Sequence, residues 1–334
     1  MLRENIDITY RHTFGIATQA RAWGEYRNVD ELRELIIAAR ERKLNFMPIG
    51  EGSNLLFVKD YDGMLLHSSI TTLEIVKEDD TTIVIKAGSG WKWDDFVAHC
   101  VQQGWAGVEN LSYIPGTVGA SAVQNVGAYG VEACDVIASV DVLDVETLQE
   151  HTFTNQECSY GYRTSIFKTE WRGMFIVTAV TFSLSKQPQY KLDYGNMRDK
   201  VGDIPTLQRV RDAVIEIRRS KLPEPSELGS AGSFFVNPVI SREQYNELLK
   251  RYPDMPCYEI DAERVKVPAG WLIDRQGWKG KCVGDAMVYP HQSLVIVNKG
   301  NARPGHVVQL AQDIAFSVMM AYGIVITPEV NYIY

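Results

Sequence analysis

The sequence predicts an α+β protein of two or three domains, and three observations carry that expectation. The chain is 334 residues long, more than one ordinary core supports. Its hydrophobic share of 45% and charged share of 23% are those of a globular protein with a sizeable core. Helical and strand-like segments alternate irregularly, without the βαβ rhythm of a doubly wound sheet.

Taken in order, VDELRELIIAARERK places Leu32, Leu35, Ile36 and Ala39 on one helical face. FMPI and LLFV read as strands on either side of the loop GEGSN. LEIVKEDDTTIVIKAG reads as two strands around an Asp-Asp turn. WKWDDFVAHCVQQG is a helix stopped by Gly104 at its C′ position. From 105 to about 183 the pattern is strands and glycine-rich loops, with DVIASVDVLDVET and FIVTAVTFSLS the clearest strands. TLQRVRDAVIEIRRSK sets Val210, Val214 and Ile217 on a helical stripe, and KLPEPSELGSAG follows as a linker or active-site loop. SREQYNELLKRY carries a Ser-x-x-Gln capping box at Ser241 and Gln244. A long helix near 304–322 precedes a final strand, VITPEVNYIY, that includes Glu329.

Several classes of function lose support. A net charge of -8 argues against a nucleic-acid binder, although a few placed Arg and Lys suffice for a small anion. The five cysteines include no CxxC pair, so buried free thiols are expected in place of a zinc site or a redox dithiol. Six histidines without paired spacing argue against a metal centre. The first residues lack the apolar core of a signal peptide, and the most apolar segment is broken by Gln309, Gln312 and Asp313. The cytoplasm, with no membrane partner, is the expected location. Gly-x-Ser-x-Gly, HExxH and Walker A patterns do not occur.

Five segments can carry chemistry. PIGEGSN at 48–54 can turn backbone amides toward a phosphate, and a plain glycine turn explains it as well; Leu55 replaces the third glycine of a dinucleotide fingerprint. IPGTVGASAVQNVGAYG at 114–130 is glycine-rich and small, which lets backbone approach a flat cofactor or a pyrophosphate; a tightly packed loop is the alternative. Together the two loops favour a dinucleotide. In SYGYRTSIFK, Arg163 can hold a carboxylate in a bidentate pair or pack its stem on Tyr160 or Tyr162. In GSAGSFFVNP, Ser233 can protonate a basic carbanion if an apolar pocket beside the two phenylalanines holds it; a turn or cap serine is the competing reading. Glu329 in PEV reads as a strand carboxylate.

In this order, PIGEGSN, PGTVGASAVQNVGAYG, GYRTSIFK, AGSFFVNP and PAGWLID resemble the UDP-N-acetylenolpyruvoylglucosamine reductase (MurB) family, from HTFGI at 12–16 to TPEVNYI near the end. The resemblance implies an FAD-binding fold of the vanillyl-alcohol-oxidase (PCMH) type in two subdomains, 1–67 and 68–218. A substrate-binding α+β domain, 219–334, would follow. It implies noncovalent FAD, NADPH as co-substrate, UDP-N-acetylglucosamine enolpyruvate as substrate, and a monomer. The implied catalytic positions are Arg163, Ser233 and Glu329. Tyr194 falls where the longer subtype of the family has a substrate-binding tyrosine in a mobile loop, and Lys221, Asn237 and Gln292 are further substrate contacts. FAD would meet Pro48, Gly50, Gly52, Ser53 and Asn54 in the first loop, and Pro115, Gly116, Gly119, Ser121, Asn125 and Gly127 in the second. One departure is Val236, where many members have Lys. A flavin oxidase on the same fold and a noncatalytic UDP-sugar binder are the other readings.

Overall fold

The computed structural model describes residues 2–224 and 226–334. The chain forms two compact units. The first takes residues 2–6, Ala20–Glu51 and Asp62–Arg218; the second takes Asp7–Gln19, Gly52–Tyr61 and Arg219–Tyr334.

The first unit contains two sheets. In one, the strand order is Leu2–Asp7, Gln19–Tyr26, Tyr61–Ser68 and Asn45–Ile49, the last two parallel. The helix Val29–Glu41 covers it and buries Leu32, Leu35, Ile36 and Ala39, the face its periodicity marks. Asn28 caps that helix, its side chain accepting from the Glu31 N–H at 2.8 Å. The second sheet is antiparallel, in the order Glu150–Thr154, Ile137–Asp144, Phe175–Ser185, Thr82–Gly88 and Leu73–Glu78. Phe182 from this sheet meets Phe96 and Trp93 of the helix Trp93–Gln102 within its core. Gly104, at φ +77°, ends that helix as expected. A separate cluster packs Leu192, Met197 and Val201 against the helix Leu207–Lys221 through Val210, Ala213, Val214 and Ile217.

The glycine run 114–130 is not all loop. Val118–Gln124 is a helix, with Thr117 accepting from the Ala120 N–H at its start and Asn125 in the left-handed region at its end. Small residues that suit a close approach, such as Ala120 and Ala122, are also good helix formers, so composition alone does not separate the two.

In the second unit one sheet runs Gly229–Ser233, Val295–Asn298, Ala286–Val288 and Cys282–Val283, and another Val239–Ser241, Arg264–Lys266 and Tyr258–Glu259. The helices Arg242–Arg251, Ala269–Arg275 and Pro304–Tyr322 share one core with them, in which Phe234, Leu272, Ile296 and Ile314 are fully buried. Half of the expected capping box forms. Ser241 accepts from the Gln244 N–H at 3.1 Å, while the Gln244 amide reaches the Gly323 carbonyl instead of turning back. The terminal strand is shorter than expected: Asn331–Ile333 pairs in parallel with Leu55–Phe57. Glu329 therefore precedes the strand and does not lie in it. Pro328 makes only an isolated bridge to Phe235, and without an N–H it cannot extend a ladder.

Among the described residues no helix is long and apolar enough to cross a membrane, and no group of three or more His, Cys, Asp or Glu is placed to hold a metal ion. All five cysteines are free; Cys100 and Cys158 are buried, but Cys282 is exposed because its strand lies at the edge of its sheet.

Candidate active site

In the first unit the glycine loops meet. A Cβ on Gly50 would lie 2.9 Å from the Thr117 hydroxyl, and the Gly116 N–H donates to the Glu51 carboxylate at 2.7 Å. Gly119 sits on Ser89, where a Cβ would come within 2.8 Å of the Ser89 Cβ. Glycine at 50 and 119 is thus needed for close packing between segments. The Gly119 and Val118 N–H groups already donate to the Ser89 and Trp91 carbonyls, so the first amides of this helix are engaged inside the chain.

The side chains of the second loop also turn inward. Ser121 donates to the Val118 carbonyl at 2.7 Å. Asn125, fully buried, donates to Glu132 Oε2 and to the Gly161 carbonyl, and accepts from the Cys134 N–H. What these two residues can offer a cofactor is backbone. The bond to Gly161 fixes the turn that carries Arg163. Ser165 donates to the Val123 carbonyl, and the Lys168 ammonium donates to Gln124 Oε1 and the Arg163 carbonyl. Arg163 itself has a φ of +57°, a strained conformation for a side chain of its size, of order 1–2 kcal/mol. Its guanidinium lies 5.6 Å from the Tyr162 ring centre, and a Cβ on Gly127 would come within 3.1 Å of its Nη1. The packing of the guanidinium on Tyr162 is therefore realised in this turn.

Arg218 is a cation that the sequence reading missed. It is half-buried, and its Nε donates to the Tyr113 carbonyl at 2.8 Å. Burial depresses its pKa; Tyr129 opposes that effect and the charge of Arg163 adds to it. Tyr113 is held in turn by Asp94, which accepts from its N–H and from both Nη atoms of Arg211 at 2.6 and 2.8 Å. Burial alone would raise the Asp94 pKa, but Arg211 and the Tyr113 N–H bring it below the ordinary value. The one available sequence signal was an Arg directly after Ile217 on the buried stripe, in the RRS that precedes KLP.

Tyr194 is 46% exposed, and its ring meets Tyr129 edge-on with centroids 5.8 Å apart. These two residues line a concavity of about 280 Å³ with Gly130, Lys191 and Asp193.

In the second unit the backbone gathers Ser233, Glu329, Asn237 and Gln292. Ser233 pairs with Val295, and the register slips by one residue between Ser230 and Ser233. This bulge, with Gly232 at φ +69°, leaves Ser233 exposed while Phe234 and Phe235 are both buried. Ser233 therefore stands exposed beside an apolar core. The Glu329 N–H donates to the Phe234 carbonyl at 2.8 Å, one residue from Ser233, and Val236 N–H donates to Thr327. Asn237 Oδ1 accepts from the Ala269 N–H at 2.9 Å, at the start of the helix Ala269–Arg275. Gln292 stands over the same turn: a Cβ on Gly270 would lie 3.4 Å from its Oε1. Lys221 ends the helix Leu207–Lys221 and is exposed.

The first-loop residues of this unit are also structural anchors. A Cβ on Gly52 would collide with His12, 2.5 Å from its Cβ, and Gly52 has a φ of +61°. Asn54 donates to the Glu329 carbonyl, and its own carbonyl accepts from the Asn331 N–H. Pro48 lies within the strand Asn45–Ile49, and Pro115 precedes the Gly116 turn.

Residues 23–148 of this α+β chain match the family profile described as an FAD binding domain. The chain is a flavoprotein with FAD as its cofactor. Residues 224–333 match the profile of the UDP-N-acetylenolpyruvoylglucosamine reductase C-terminal domain. The UDP-N-acetylenolpyruvoylglucosamine reductase of Bacteroides fragilis is 50% identical over 334 residues, covering 99% of this chain and 100% of the relative. That of Porphyromonas gingivalis is 43% identical, covering 99% of each chain. The chain belongs to the UDP-N-acetylenolpyruvoylglucosamine reductase family. The crystal structure of the reductase (MurB) from Thermus caldophilus, 23% identical, superposes with a TM-score of 0.71 over 99% of both chains and shares the fold.

Proposed function

We propose that this chain reduces UDP-N-acetylglucosamine enolpyruvate to UDP-N-acetylmuramate with NADPH, the reduction step of peptidoglycan-precursor synthesis. The observation that carries this reading is the end-to-end identity of 50% with the Bacteroides fragilis reductase. When bound, FAD would supply hydride-transfer chemistry between NADPH and the enol ether. Loops 48–54 and 115–127 are the segments that would hold it, mostly through backbone.

The protein's own groups would handle charge and the proton. Hydride addition at C3 places negative charge on C2 and its carboxylate. Arg163, fixed in its turn by Asn125 and Lys168, neutralises the carboxylate. Glu329 polarises it, directly as an acid or through water. Ser233 gives its proton to C2, which completes the lactyl ether. The exposure of Ser233 supports that role, since the hydroxyl is accessible to a substrate carbon. Tyr194, Lys221, Asn237 and Gln292 bind the nucleotide sugar. In functional terms we assign 1–67 and 68–218 to FAD and 219–334 to substrate, in a monomer acting in the cytoplasm.

The test is one anaerobic cuvette. Flavin absorbance should bleach on addition of NADPH and return when the enolpyruvyl UDP-sugar is added. Absence of any response to the enol ether, with reoxidation only when oxygen is then admitted, would favour an oxidase and overturn the proposal.

A further inference from the structure

Asn110 lies in the short turn Glu109–Leu111, just before the glycine-rich segment 114–130, and is 1% exposed. Its side-chain Nδ2 donates to two carbonyls, that of Tyr129 at 2.9 Å and that of Lys191 at 2.8 Å. These belong to the two shoulders of the concavity that Tyr194 lines. We infer that Asn110 is a positioning residue for the substrate, setting the Tyr194 segment against the Tyr129 turn through its doubly donating amide.

The turn that carries Asn110 is itself rigidly held. Glu109 accepts from the Gly107 N–H at 2.7 Å, Ser112 donates to the Glu109 carbonyl, and the Trp93 indole donates to Leu111. On one side Asn110 fixes Tyr129, whose φ of +50° is a conformation a tyrosine keeps only when its surroundings impose it. On the other it fixes Lys191, next to the buried Leu192. From there the chain is exposed from Asp193 to Asn196, passes through Gly195 at φ +60°, and is buried again at Met197. Tyr194 thus rides on a short exposed bend between two anchors, and Asn110 sets the first of them. A primary amide suits this task because it offers two N–H donors on one atom. Asp has none when ionised, and Leu of similar size has none at all.

The inference rests on the proposed reading of Tyr194 as a substrate contact, so the experiment separates the two. The FAD-loaded variants Asn110→Leu, Asn110→Asp, Tyr194→Ala and the double variant Asn110→Leu/Tyr194→Ala are compared with the parent. Stopped-flow bleaching by NADPH reads the first half-reaction, and steady-state rates give KM for the enolpyruvyl UDP-sugar. Asn110→Leu is expected to raise that KM about tenfold, as loss of buried hydrogen bonds does. FAD content and the NADPH bleaching rate should stay unchanged. Asn110→Asp, nearly isosteric, should give the same KM rise and keeps the test open if Leu prevents folding. The double variant should be no worse than Tyr194→Ala, because both changes remove the same contact. If Tyr194→Ala raises KM and neither Asn110 variant does, the inference is wrong and the Tyr194 reading stands. Multiplied effects in the double variant, or equal losses of FAD and bleaching rate, would likewise overturn it. An unchanged KM in Tyr194→Ala would remove the Tyr194 reading and the inference with it.

Discussion

Asn54 donates its side-chain amide to the backbone carbonyl of Glu329, 275 positions further along, at 3.2 Å. Its own carbonyl accepts from the Asn331 N–H, so a loop expected to touch a cofactor also locks the backbone on both sides of Val330. Glu329 gains its place from this clamp and from the Phe234 carbonyl, one residue from Ser233. Replacing Asn54 with Ala should cost about 1 kcal/mol of stability and slow reoxidation by the enol ether more than reduction by NADPH. Rates of the two half-reactions measured separately check this; equal slowing of both would contradict it.

Ser233 stands exposed at a bulge, with its hydroxyl the proposed proton donor. Ser233→Ala should leave the NADPH bleaching rate intact and lower substrate-driven flavin reoxidation by about 10²-fold or more. Ser233→Cys, which keeps a transferable proton, should recover part of the loss. A single-turnover trace distinguishes these outcomes.

Asn125 has no exposed surface, and its side chain ties together Glu132, Gly161 and Cys134 from a left-handed backbone position. Asn125→Ala removes those bonds and forces alanine into φ of about +47°, so a loss of about 2–4 kcal/mol in urea unfolding is expected. Asn125→Gly relieves the backbone strain but restores no bond, and should recover about 1 kcal/mol of it.

His12 is buried against Gly52 and Phe57, and its Nε2 meets the Ile16 carbonyl at 3.1 Å. Burial lowers its pKa below the ordinary value of 6.5, with the Ile16 carbonyl opposing. The unfolded chain therefore takes up this proton first as pH falls. Its contribution to stability is intact above pH 6.5 and is lost as pH drops through the lower folded value. A His12→Gln variant should show a shallower decline in unfolding free energy between pH 7 and 5 than the parent; parallel curves would show that His12 takes up its proton equally in the folded and unfolded states (the pH range follows the ordinary histidine pKa of about 6.5).

Local patterns in the sequence were enough where a periodic face met one core. The four buried positions of Val29–Glu41 follow directly from the 3.6-residue repeat, and the strands on either side of Asp79 and Asp80 follow from alternation and the turn. The site was harder. For Ser233 the sequence left an apolar pocket and a turn serine both open, and the structure puts it exposed at a one-residue bulge. Glu329 looked like a strand residue because apolar positions surround it, but Pro328 stopped the ladder before it. Arg218 and Asn110 belong to no motif, and their importance rests on partners far away in sequence.

The sequence by itself determined the α+β class, the main helices and strands, the absence of zinc or Walker spacing, and the family through its ordered motifs. Each of these depends on near neighbours or on residue order, which one chain displays directly. Only the tertiary structure decided which polar groups were left to face a ligand. Ser121, Asn125, Asn54 and Gly119 are cofactor positions by the family resemblance, and the fold engages the side chains of the first three and the Gly119 N–H in internal hydrogen bonds. A buried donor or acceptor must find a partner, and which partner it finds depends on segments brought together from tens or hundreds of residues away.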